Sequence, residues 1–362
     1  MIGHPQAVMT KSPAFSAASP SEGAGRSPLT ALWLFCLAVL VVAMVVVGGA
    51  TRLTGSGLSI TQWKPLLGAI PPLSGAAWID VYHRYQATSQ YHLVNRGMTL
   101  EQFKPIFWWE WSHRLLGRAL GVVFALPFIA LIAIRRLPRR LVPACSLLFA
   151  LGGLQGAVGW WMVKSGLEGR VLVAPERLAT HLGLALILLC ALIWTGLEAW
   201  AGEATEPQPR RDGWRVAAGL FAAGVYLQCL LGALVAGNQA GLLNADWPLM
   251  SGRLFPADYG QGGLWSTFAH GAAAVQFNHR LLAYALTVFA LGLVWAATRS
   301  EKVARALRNL CITIGMVACV QAVLGVSTLL TVVALPIALL HQLTATVLLS
   351  FAVALAWRAR RI

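Results

Sequence analysis

The chain has 362 residues, 57% of them hydrophobic and only 11% charged, with a mean hydropathy of +0.67. A soluble domain carries about 25% charged residues, so this composition excludes one, along with disordered, collagen-like and coiled-coil chains. The net charge of +15 requires no nucleic-acid partner, because basic residues flanking membrane spans account for it.

Residues 1–28, rich in Ser, Pro, Ala and Gly, read as a disordered tail. Uncharged runs follow at 29–50, 119–134, 141–163, 178–197, 216–236 and 281–298. The second and sixth are expected to begin earlier, near Glu110 and Asn278, since crossing the hydrocarbon takes about 20 residues. The run 309–357 holds no Asp, Glu, Lys or Arg. As one helix it would measure roughly 74 Å, more than twice the hydrocarbon thickness, so it must turn back, with Pro336 as the breaker. The expectation is an all-α integral membrane protein with eight transmembrane helices. Two four-helix halves, 29–200 and 214–362, flank a linker at 201–213.

The tail, 135–140, 198–215, 299–308 and 358–362 carry 16 of the 28 basic residues in 67 positions. Lys and Arg mark the cytoplasmic side, so both termini are expected there. Two long loops, about 51–112 and 237–277, are expected on the outer side. The six cysteines (Cys36, Cys145, Cys190, Cys229, Cys311 and Cys319) sit in apolar runs. They read as small packing residues rather than a disulfide or metal framework.

The chain repeats itself. His113–Val122 matches His279–Val288 at seven of ten positions, an offset of 166. A Gln-x-x-x-Gly pattern recurs at Gln155/Gly159, Gln228/Gly232 and Gln321/Gly325, and His181 pairs with His341, each a few residues after a proline (Pro175, Pro336). Four spans per half preserve orientation. The halves are therefore expected as two pseudo-symmetric four-helix bundles related by an axis along the membrane normal. Each half then owns two histidines at similar depth, in the first part of its even-numbered spans, toward the outer side.

A single intramembrane histidine is more often a packing residue than a ligand; a duplicated pair at matching depth reverses those odds. Two opposed imidazoles in an apolar bundle suit bis-histidine haem ligation. Zinc would need a further Cys or carboxylate, and a proton relay would need acids within the spans. Arg114 and Arg280, directly after two of the histidines, fit either pairing with haem propionates or snorkelling to the interface. His4, His83, His92 and His270 lie in the tail or loops without a repeat partner and read as solvated.

Glu110 breaks the repeat. It stands three residues before His113, where Gln276 precedes His279. Positions i and i+3 share a helix face, so the carboxylate would point toward the ligand's site, with i+4 pairing to Arg114 as the plainer alternative. A carboxylate at one site and an amide at the other suits one site doing chemistry and the other holding a cofactor.

Three runs carry a family resemblance: Gly48-Gly49-Ala50-Thr51-Arg52-Leu53-Thr54-Gly55-Ser56-Gly57-Leu58-Ser59, Trp63-Lys64-Pro65, and Phe107-Trp108-Trp109-Glu110-Trp111-Ser112-His113-Arg114. With Asn278-His279-Arg280 and His341 they resemble the haem A synthase family, in particular its mitochondrial and alphaproteobacterial branch. The resemblance covers everything after the tail. It implies oxidation of the C8 methyl group of haem O to a formyl group, giving haem A for cytochrome oxidase. It implies that His279 and His341 ligate a resident haem b, with Arg280 beside it. His113 and His181, with Arg114, would hold the substrate haem, and Glu110 would be the catalytic carboxylate.

Oxygen would come from water, because two histidines on the substrate iron leave O₂ no place to bind. Other branches of the family carry a cysteine pair in the first outer loop, which this chain lacks. Handover of haem O from haem O synthase (protohaem farnesyltransferase), association into a homo-oligomer and residence in the bacterial inner membrane belong to the same expectation. One alternative is a di-haem b-type electron-transfer cytochrome, which leaves Glu110 unexplained. The other is a transporter with a parallel repeat, which would want broken helices or intramembrane acids.

Overall fold

A computed structural model describes residues 25–64, 67–203, 213–301 and 303–361. Most of the tail expected at 1–28 and most of the linker expected at 201–213 lie outside the described residues. Eight helices are long and apolar enough to cross a membrane. They are α1 (Pro28–Leu53), α2 (Leu100–Ala133), α3 (Val142–Leu167), α4 (Pro175–Ala201), α5 (Gly213–Gly237), α6 (Ala272–Arg299), α7 (Arg305–Leu330) and α8 (Leu335–Arg360). At about 1.5 Å per residue each exceeds the hydrocarbon thickness. Val288, Leu291 and Trp295 on α6, and Met316, Val320 and Val323 on α7, are exposed at helical spacing. Such outward apolar stripes face lipid, and the chain is a multi-pass membrane protein.

Proline opens four helices at the first or second position (Pro28, Pro143, Pro175, Pro336), where the missing N–H is not needed. Pro336 thus divides the long apolar run as expected. The turn before it holds Val332 and Val333 at φ 52° and 61°, left-handed conformations that strain a β-branched residue.

Two helices start before their expected points. α6 begins at Ala272, ahead of Asn278, and α2 at Leu100, well ahead of Glu110. A capping box explains α2: Gln102 N–H donates to Thr99 Oγ1 at 3.3 Å and Thr99 N–H to Gln102 Oε1 at 2.9 Å. Its first turns then pack Phe103 and Phe107 on Tyr85, in a small core built with Trp78, Tyr82 and Tyr91 from the first loop. That loop carries two short helices, Gly75–Gln86 and Ser89–Leu93.

Within the first four helices, α1 packs on α2 and α4, and α3 on α2 and α4; within the last four, α5 packs on α6 and α8, and α7 on α6 and α8. Between the sets, α4 meets α5, α1 meets α8, and α4 meets α8. This pattern is unchanged when the two sets are exchanged. The pairing that differs most in extent is α2 with α3, which touch far less than α6 and α7. A shared core runs through both sets, including Leu34, Leu37, Leu186, Phe221, Ile314 and Leu349.

Polar straps join the sets at both ends. At the loop end, Arg52 Nη2 donates to the Ala236 carbonyl at 2.5 Å, and Gln342 Nε2 to the Val45 carbonyl at 2.8 Å, in space that Gly49 leaves free. At the opposite end, Glu198 on α4 accepts from Trp357 Nε1 at 2.9 Å and Arg361 Nη2 at 2.8 Å.

Candidate functional site

His113 on α2, His181 on α4, His279 on α6 and His341 on α8 are each half-buried. Each turns the Cε1 edge of its ring to a glycine on the preceding helix. A Cβ on Gly48, Gly159, Gly232 or Gly325 would lie 2.9, 3.0, 3.2 or 3.0 Å from the respective Cε1. Four times, therefore, a side chain is missing where an imidazole lies. His113 lies within electrostatic reach of His181, and His279 of His341, so the two histidines of each half are neighbours. Among the described residues no group of three or more His, Cys, Asp or Glu forms. Each pair is thus a two-nitrogen donor set in an apolar bundle beside a glycine cradle, which fits a planar macrocycle with two axial ligands better than a tetrahedral ion.

One turn before three of these glycines stands a glutamine. Gln155 Nε2 lies 3.2 Å from His181 Nδ1 and donates to the His181 carbonyl at 3.0 Å. Gln228 Nε2 lies 3.1 Å from His279 Nδ1 and donates to the His279 carbonyl at 3.0 Å. Gln321 holds the matching place before Gly325, and the fourth place, before Gly48, is Met44. The Nδ1 atoms of His113 and His341 are buried without a hydrogen-bond partner.

Matching loops cover the two sites. Arg114 donates from Nη2 to the Ile60 carbonyl at 2.8 Å and from Nη1 to the Gln62 carbonyl at 3.0 Å. Arg280 donates from Nη2 to the Asn244 and Asp246 carbonyls, both at 3.0 Å, and from Nη1 to Leu249 at 2.9 Å. The guanidinium groups, expected either on propionates or snorkelling, are placed on loop carbonyls. Arg280 Nε remains buried without a partner. Ile60 and Gln62 match Asn244 and Asp246 at an offset of 184, and the turns before them match as well, with Gly55 and Gln239 both left-handed at φ 68° and 52°. Gly57-Leu58 with Trp63, against Gly241-Leu242 with Trp247, was the legible sign of this second repeat.

Glu110 is 3% exposed. Its Oε1 accepts from Arg114 Nη2 at 2.6 Å and Nε at 3.1 Å; its Oε2 accepts from Ser59 Oγ at 2.7 Å and the Ile60 N–H at 2.8 Å. The i+4 ion pair is therefore present, and the carboxylate also grips the loop. Gln276, equally buried, donates to the Asn244 carbonyl at 3.1 Å, and its Oε1 has no partner. Asp246 accepts from the Gly252 N–H at 3.0 Å and the Ser251 N–H at 2.9 Å, bonds that hold its carboxyl below the ordinary carboxylate range. Trp63 stacks on Trp160, next to Gly159, with ring centroids 5.5 Å apart.

The remaining histidines divide. His83 and His92 are exposed. His270 is half-buried with Nε2 3.8 Å from Glu176, so it is not simply solvated. His4 lies outside the described residues.

These features define a class: a multi-pass helical membrane protein with a duplicated intramembrane histidine pair, each under its own arginine-anchored loop. A family model described as cytochrome oxidase assembly protein matches residues 31–353. A heme A synthase of Caulobacter sp. (strain K31) is 56% identical over 93% of this chain and 97% of its own length. That of Caulobacter vibrioides is 55% identical over the same shares, and that of Paracoccus denitrificans 46% identical over 88% of this chain and 84% of its own. The chain belongs to this cytochrome oxidase assembly family.

Proposed function

We propose that the chain is a haem A synthase, oxidising the C8 methyl group of haem O to a formyl group. The duplicated histidine pair with a buried carboxylate beside only one copy carries this reading. His113 and His181, in the half spanning 29–200, hold the substrate haem; His279 and His341, in the half spanning 214–362, ligate a resident haem b. The looser packing of α2 on α3 supports the assignment, since a substrate must come and go while a cofactor stays. When bound, haem b supplies a one-electron relay.

Glu110 acts on the substrate. Converting the methyl group to formyl takes one water and releases four protons and four electrons, which pass to an acceptor outside the chain. Positive charge develops at the carbon as electrons leave, and a carboxylate already fixed in place stabilises it without reorganisation. Ser59, Ile60 and Arg114 provide that fixation, and the loop they hold limits bulk water. Arg280 Nε, buried and unpartnered, is a donor left for a propionate of haem b. Arg114 acts on the substrate haem through the loop it anchors.

The same reading takes haem O from haem O synthase, associates copies of the chain, and sets it in the bacterial inner membrane with both termini cytoplasmic and the histidines toward the outer side. Extraction of the bound pigments tests it. Haem b accompanied by haem O or haem A is expected; two ordinary protohaems would make the chain an electron-transfer cytochrome instead. Oxygen-18 supplied as water should appear in the formyl group, and label incorporated from O₂ before exchange would overturn the water step.

A further inference from the structure

The two sites differ in how the first histidine of each is tied down. Gln155 touches both the ring and the main-chain carbonyl of His181, so one amide fixes α3 to α4 at the ligand itself. Gln228 does the same between α5 and α6 at His279. Gln321 holds the matching position on α7, but its Oε1 and the Nδ1 of His341 are both buried without a partner. Only at His113 is the residue a methionine, whose thioether donates nothing and accepts weakly. Met44 does reach α2: a Cβ on Gly117, one turn after His113, would lie 3.6 Å from its Cε. It makes an apolar contact where Gln155 and Gln228 make a polar tether.

A second observation points the same way. α2 is poorly braced by α3, and three glycines of α3 (Gly152, Gly153 and Gly156) border open space, where an added Cβ would meet nothing within 4 Å. The side-chain bonds from α1 to α2, Trp33 Nε1 to the Val123 carbonyl at 3.0 Å and Thr51 Oγ1 to the Trp109 carbonyl at 3.2 Å, fall on either side of the His113 turn. The turn itself is held through Arg114 to the loop carbonyls of Ile60 and Gln62 and not, among the described residues, by a side-chain bond to α1.

We propose that Met44 is the positioning residue that makes the first site exchangeable: the substrate haem stays anchored on His181 and is taken up and released at His113. This rests on the proposed function, and it assigns the release step to one ligand. Partners outside the ligand shell orient a ligating imidazole and strengthen it, and their loss typically costs about 10–100-fold in metal affinity. Met44→Gln installs the tether that Gln155 and Gln228 provide; Gln228→Met removes it from the resident site.

The test loads full-length protein in detergent with ferric protohaem and follows transfer to excess apomyoglobin by Soret absorbance. Two phases are expected in the wild type, the faster abolished by His113→Ala. Met44→Gln should slow that phase by about tenfold or more, Met44→Leu should leave it unchanged, and Gln228→Met should accelerate the slower phase by a comparable factor. A fast phase unaltered in Met44→Gln, or slowed equally in Met44→Leu, overturns the proposal while leaving both haems bound. If Met44→Gln does not fold, an unaltered slow phase in Gln228→Met overturns it equally. Failure of the wild type to bind haem through these histidines would instead overturn the function on which it rests.

Discussion

Glu110 Oε2 lies 2.8 Å from the amide nitrogen of Ile60, so the carboxylate and the loop over the first site form one unit. At the second site the polarity is reversed, with Gln276 donating to the Asn244 carbonyl. The second site therefore shows what an amide does in this place: Gln276 keeps its loop and leaves Arg280 on three carbonyls.

Glu110→Gln should accordingly fold and retain haem, at a stability cost of about 1 kcal/mol, while conversion of haem O falls by about 100-fold. Glu110→Ala, which removes the carboxylate as acceptor for Arg114, Ser59 and Ile60 as well as the counter-charge, should cost about 3–5 kcal/mol. Thermal unfolding and pigment chromatography read the two quantities. Full activity in Glu110→Gln would remove the carboxylate from the chemistry.

The glycine cradles should rank by clearance. Gly48→Ala, Gly159→Ala and Gly325→Ala press on an imidazole edge at 2.9–3.0 Å, and Gly232→Ala at 3.2 Å. All four should lower bound haem, Gly48→Ala most and Gly232→Ala least. Gly156→Ala, one turn from Gly152 and facing open space, should not. The pyridine haemochrome assay measures this, and equal losses in Gly156→Ala would show that the helix, not the cradle, was disturbed.

The second loop should loosen in acid. Gly252 and Ser251 hold Asp246 ionised below the ordinary carboxylate range, helped by Arg280. The unfolded loop therefore binds the proton more readily. This contribution is fully present above the unfolded value of about 3.9 and is lost as pH falls through the lower folded one. Amide exchange by mass spectrometry, corrected for its intrinsic pH dependence, should rise at residues 244–253 across that window. Asp246→Asn should show raised exchange already at neutral pH, with no further step.

The α7–α8 turn stores strain that can be relieved. Val332 is 56% exposed and left-handed, so Val332→Asn loses little buried surface while adopting that conformation more easily. A gain of about 1 kcal/mol is expected, read as a higher Tm in detergent; a lower Tm would show that the valine packs more than it strains.

Much of this was legible in the residues. Uncharged runs located all eight spans, and Pro336 divided the last pair, because lipid permits no other solution for a 49-residue apolar run. The start of α2 was missed because Glu101 and Lys104 erase the apolar signal, although Thr99 and Gln102 have the spacing of a capping box. The histidine pairs showed through a single offset of 166 or near it. The loop repeat did not, because the first outer loop is longer and shifts the offset to 184. Gly48 stood in the family run but not among the paired glycines, since Met44 breaks the Gln-x-x-x-Gly pattern. Ser59 and Ile60 meet Glu110 across some fifty positions, and no local spacing announces such a contact.

The straps between the helix sets have a consequence for timing. Arg52 on the Ala236 carbonyl and Glu198 with Trp357 and Arg361 clamp the molecule at both faces of the membrane. Among the described residues the halves are thus held together at both ends, and this packing sets the spacing of the two histidine pairs. The distance factor in electron tunnelling between haems held there would then stay the same whatever the first site contains. On the proposed function, what is left to vary is loading and unloading within a single half, on the side where α2 packs less on α3.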